Sequence, residues 1–177
     1  MLFAWASWAV VCRLVEKPMK CKAERDTVLE AAWIFLAAIV AGYLRDHTNV
    51  GDRIAVLRSE PQIYFYSKRH SATGYIYTYE LMEPQSYARQ MQEEMIRQIE
   101  SARPKYVIFV GVPTSWLRHP ESESLILTWV DQYVKTYYGV VGLVNILSSD
   151  RTDYYFEQMP ESLPQLGAYV LIYQRKS

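Results

Sequence analysis

Cysteine is almost missing from this chain: Cys12 and Cys21 stand near its start and no other follows. The rest of the sequence therefore offers no thiolate nucleophile and no internal disulfide. The spacing of the two matches no metal motif, and a bridge between them stays open. Histidine is scarce too. His47, His70 and His119 lie far apart in polar surroundings, so no metal site is expected. Charge of one sign is also lacking, because nineteen basic side chains meet nineteen acidic ones. That balance, without a long Lys/Arg cluster, argues against nucleic acid as a partner. Glycine is sparse, seven in 177 residues, and none is grouped into a loop that cradles phosphate.

Hydrophobic runs long enough to cross a bilayer, about 20 residues, are absent as well. Met1 to Val15, "MLFAWASWAVVCRLV", is apolar but short, and it lacks the basic start and cleavage site of a signal peptide. It reads either as the tail of a membrane helix or as a buried or amphipathic helix. Residues 1–24 are thus expected to form an apolar, membrane-derived segment and linker, and residues 25–177 a single soluble domain. That length buries a core without disulfide or metal staples.

What is abundant is tyrosine, fifteen residues, within a chain that is half apolar. Tyr joins an apolar body to a polar tip and suits half-buried layers. Thr27 and Glu30 resemble a capping box before the apolar run Ala31 to Leu44, which predicts a buried helix. "RIAVL" (Arg53 to Leu57) predicts a central strand. Ser59 is placed to cap a following helix with Pro61 in its first turn. "GYIYTY" (Gly74 to Tyr79) alternates at strand period. Tyr87, Met91, Met95, Ile99 and Ala102 recur at helical spacing, with Arg, Gln and Glu opposite. "KYVIFVGV" (Lys105 to Val112) predicts a strand. A helix from Pro120 with a stripe of Leu125, Trp129, Tyr133 and Tyr137 follows. Strands are then expected over Gly139 to Leu147, bulged at glycine, over Asp153 to Met159, and over Ala168 to Lys176. The pattern is α/β. It implies a mixed sheet whose first three strands are parallel with helical crossovers, and antiparallel strands added at the C-terminal edge.

Catalytic chemistry finds little purchase. There is no Gly-x-Ser-x-Gly elbow, and Ser59 reads more readily as a cap than as a nucleophile. Glu60 lies at the expected carboxyl end of the sheet, where ligands of α/β folds bind, but a glutamate in a helix's first turn is also simply favourable there. Tyr64, Tyr66, Tyr75, Tyr77 and Tyr79 serve either as a sugar-binding surface or as ordinary strand residues. No catalytic residue, metal ligand or cofactor is assigned.

The stretch Gly51 to Trp116 carries a resemblance. "GDRIAVL-SEPQIYFYS", "SATGYIYTY-LMEPQ" and "EMI--IE-ARP-Y-VFV", with the later "YVLIYQRK", are similar to the C-terminal soluble region of bacterial dolichyl-phosphate-mannose-protein mannosyltransferase-like membrane glycosyltransferases. The similarity covers about two thirds of the chain, and Arg58 stands where relatives are expected to carry a small residue. The resemblance implies an extracytoplasmic (periplasmic or outer-face), membrane-associated domain of an enzyme that draws sugar from a polyprenyl-phosphate carrier. The catalytic carboxylate of such enzymes lies between membrane helices, so the domain itself is expected to be non-catalytic. Its implied partners are the transmembrane portion of the same enzyme and a glycan or acceptor protein. The expected contact residues are Glu60, Tyr64, Tyr66, Thr73 and Tyr77. The alternative is a self-sufficient small α/β enzyme or nucleotide-binding module built on Glu60.

Overall fold

The computed structural model describes residues 35–112, 116–148, 151–160, 166 and 168–176. The expectations for Met1 to Val15, the linker and the Thr27 cap lie outside these. From Leu36 onward the chain forms one compact unit. Among the described residues are six strands and five helices. The strands are β1 (Arg53–Leu57), β2 (His70–Ser71), β3 (Tyr106–Val110), β4 (Tyr138–Ile146), β5 (Thr152–Phe156) and β6 (Ala168–Arg175). The helices are α1 (residues 35–46), α2 (Pro61–Ser67), α3 (Tyr79–Met82), α4 (Ala88–Ala102) and α5 (Leu125–Tyr137).

All six strands share one mixed sheet in the order β2-β1-β3-β6-β4-β5. β1 is parallel to both β2 and β3. β6 runs antiparallel between β3 and β4, and β5 closes the edge antiparallel to β4. Two reversals leave β4 pointing the same way as β3. The crossover through α5 therefore skips one position, which the last strand fills. The register of β4 shifts between Val140 and Gly142, a bulge where glycine was expected to permit one.

The main core lies on one face of the sheet. Ala55 and Leu57 of β1 and Val107 of β3 meet Met95 and Ile99 of α4 and Ile126, Val130 and Val134 of α5. The opposite face takes α1. Its Tyr43 ring meets Tyr106 of β3 edge-on and stacks on Phe156 of β5 at 4.9 Å. Leu36, Ala37, Val40, Ala41 and Leu44 are buried, whereas Ile39 remains exposed, so α1 is one-sided rather than enclosed all round.

Four local expectations change. The second strand is His70–Ser71, not Gly74 to Tyr79. A longer β2 would need the Val56 N–H, but that group donates to the Tyr64 hydroxyl at 2.8 Å. The tyrosine-rich stretch instead crosses towards α4, with the Gly74 N–H donating to Gln98 and the Tyr75 hydroxyl to Glu94. Ser59 does not cap α2. Its Oγ accepts the buried Thr78 N–H at 3.0 Å and so joins the loop after β1 to the start of α3. The fifth helix starts at Leu125 rather than Pro120. Its buried face is Ile126, Val130, Tyr133 and Val134, while Tyr137 is exposed.

Candidate functional site

β1 leads through α2 to β2 on one side, and β2 leads through α4 to β3 on the other. Right-handed crossovers in opposite directions place the two helices on opposite faces. The carboxyl ends of β1 and β3 are therefore a topological switch point, the place where open α/β sheets form a ligand crevice.

Arg58 is the residue that leaves β1 there. Its φ of 138° is a backbone conformation that favours glycine. Its guanidinium lies 5.5 Å from the Phe109 ring centroid and 5.1 Å from that of Trp116. The Nε and Nη1 atoms are buried and have no hydrogen-bond partner among the described residues. Withdrawal from water lowers the Arg58 pKa to about 10, against weaker attraction from Tyr169 and Glu60. A cation between two rings keeps some stabilisation, but its donors remain unused.

Other unsatisfied polar atoms belong to the same end of the sheet. Trp116, only 3% exposed, buries its Nε1 without a partner among the described residues. Asn145, fully buried near the end of β4, does the same with both amide atoms. Asn145 pairs in register with Tyr169 of β6. The Gly111 N–H donates to the Tyr169 carbonyl at 2.6 Å, and the Tyr169 ring stacks on Phe109 with centroids 6.4 Å apart. A Cβ on Gly111 would run into the Tyr169 ring, so only glycine admits that ring here. Aromatic walls with several unused donors and an acceptor suit an oxygen-rich ligand.

The five residues expected to touch a ligand are dispersed. Glu60 is at this end, buried, and accepts from Gln62 Nε2 at 2.5 Å. Tyr64 is spent on the Val56 N–H, and burial raises its pKa. Tyr66 stands beside exposed Phe65 on the outside of α2. Thr73 makes a local turn with Tyr75 and lines an open hollow of about 850 Å³ beside α4. Tyr77 is exposed, with its ring 6.3 Å from that of Tyr79. Sequence reasoning passed over Trp116, Asn145 and Tyr169. A lone asparagine within an apolar strand was the one signal available for them. Among the described residues no three His, Cys, Asp or Glu side chains group as a metal site, and no helix is long and apolar enough to cross a membrane. No family model, curated protein or solved structure matches the chain.

Proposed function

We propose that this chain is a non-catalytic, extracytoplasmic domain of a membrane glycosyltransferase that uses a polyprenyl-phosphate-linked sugar donor. Its carboxyl-end crevice recognises the glycan or acceptor. The observation that carries this reading is Arg58, a strained, desolvated cation whose Nε and Nη1 donors have no partner among the described residues, at the switch point of the sheet. Trp116 Nε1 and the Asn145 amide extend the same set of unused groups. Hydroxyl- and phosphate-bearing ligands satisfy such donors, and aromatic walls restrict their orientation. The resemblance of Gly51 to Trp116 supplies the enzyme class.

Titration with a hexose 1-phosphate and with neutral oligosaccharides, followed by two-dimensional ¹H–¹⁵N NMR, tests this. The Arg58 Nε–H, Trp116 indole N–H and Asn145 side-chain signals should shift, and Arg58→Met should abolish the response. Shifts confined to another surface would dismiss the crevice. Turnover of a sugar donor by this chain alone, or a melting point raised by nucleotides but not by glycans, would favour the self-sufficient enzyme or nucleotide module instead.

A further inference from the structure

The opposite end of the sheet collects positive charge. A hollow of about 470 Å³ is bordered by Arg53, Arg103, Lys105, Arg175 and Lys176, with Asp52 as its single acid. Arg53 also borders the neighbouring hollow, where Arg97 and Glu94 are added as one cation and one acid. In a chain whose charges cancel, five cations against one acid is segregation rather than background. The topology produces it. Arg53 and Lys105 enter parallel strands β1 and β3, Arg103 ends α4, and Arg175 and Lys176 leave antiparallel β6 beside β3.

Part of this surface is held in place. Lys105 Nζ donates to the His47 carbonyl at 2.8 Å, Lys176 Nζ to the carbonyls of Lys135 and Thr136, and Arg175 lies over the Tyr137 and Tyr138 rings. Among the described residues the Arg53 and Arg103 side chains have neither hydrogen-bond nor ion-pair partners. Two apolar groups flank the cations. Val50, 75% exposed, precedes the Gly51 that lines the hollow, and Tyr137, 48% exposed, stands beneath Arg175. Cations beside an exposed aliphatic residue and a tyrosine form the pattern of a membrane-interface contact. Nucleic acid fits less well, since the chain carries no net positive charge to draw it.

We infer that this basic end docks on an anionic phospholipid surface. The inference rests on the membrane setting of the proposed function and adds an orientation to it. β1 runs from Arg53 at the basic end to Arg58 at the crevice, roughly 16 Å at strand rise. A domain seated on lipid headgroups by its basic end thus turns the crevice outward, towards an acceptor.

Co-sedimentation of the full chain with phosphatidylglycerol-containing vesicles, against phosphatidylcholine vesicles, tests the docking. Partition should favour the anionic vesicles and fall at high salt. Combining Arg53→Gln with Arg103→Gln should weaken it roughly 30-fold, at about one Lys/Arg contribution each. Both side chains are exposed, so circular dichroism should show an intact fold. Lys68→Gln, an exposed cation at the end of α2, should change little. Equal partition to both vesicle types, or no loss in the folded double variant, overturns the inference. Tighter binding to an oligonucleotide than to anionic vesicles overturns it as well. Failure here leaves the glycan titration at Arg58 untouched. Vesicle binding without any crevice response would instead remove the glycan reading and keep the lipid surface.

Discussion

Arg58 and Arg69 are both arginines withdrawn from water, and they are held in opposite ways. Arg69 is 8% exposed and every nitrogen has work. Its Nε donates to Thr48 Oγ1, Nη1 to the carbonyls of Ser67 and Lys68, and Nη2 to those of Arg45 and Thr48. One side chain thereby joins the end of α1 to the end of α2. Arg58 has ring faces and idle donors. Removing Arg69 strands several buried carbonyls, so Arg69→Met should lower stability by about 2–4 kcal/mol in urea denaturation. Arg58→Met removes a desolvated cation whose Nε and Nη1 have no hydrogen-bond partner among the described residues, and should leave stability within about 1 kcal/mol of the parent or raise it. Equal losses at the two positions would make Arg58 a structural strut and withdraw its role in recognition.

Elements show the same division between what periodicity announces and what packing decides. By residue type Gln92 groups with the polar side of α4, yet it is fully buried on the face it shares with Ala88, Met95 and Ile99. Its Nε2 donates to the carbonyls of Leu81 and Glu123 at 2.7 and 2.9 Å, and its Oε1 accepts the Ile126 N–H at 3.0 Å. Ser124 makes no side-chain cap of α5, so a glutamine from another helix does that task. Gln92→Leu should cost about 3 kcal/mol, because the Ile126 N–H and two carbonyls lose their partner. Hydrogen exchange at the first turn of α5 should speed up more than at its centre. If exchange instead rises evenly, the bond is not the cap. This is why α4 was legible as a helix while its most consequential polar residue was not. Strands β1, β3, β4 and β6, the parallel start and the antiparallel finish were readable from apolar runs and turn residues. The tyrosine alternation of Gly74 to Tyr79 misled because no strand edge is open beside it. The Tyr64 hydroxyl already holds the Val56 N–H. The carboxyl-end group was half legible: Glu60 and the oddity of Arg58 could be named, but Asn145 and Tyr169 come together only through register between β6 and β4, and Trp116 meets Phe109 only from the loop after β3.

Across the whole molecule the tyrosines answer for stability more than for binding. Burial pushes the hydroxyls of Tyr106 and Tyr173 up to about 12, and those of Tyr64 and Tyr138 upward as well. Folded tyrosine is then kept neutral while the unfolded chain would ionise near the ordinary value of about 10. A raised folded value contributes stability that is complete below pH 10 and is lost as pH climbs from there to about 12. Arg58 has the opposite sign. Its value, lowered to about 10, means the folded protein sheds a proton earlier than the unfolded chain, so it gives back stability over the same alkaline range. One part-exposed guanidinium opposes several tyrosines distributed through both faces of the sheet, and the tyrosines win. Stability should therefore stay level up to about pH 9 and fall steeply above 10. Far-ultraviolet circular dichroism and tyrosinate absorbance, followed together on raising pH, check this. The buried group should ionise only with the cooperative loss of helix signal, and Tyr106→Phe should flatten the decline. Ionisation of Tyr64, Tyr106, Tyr138 and Tyr173 while the helix signal persists would mean the sheet does not enclose these tyrosines as described.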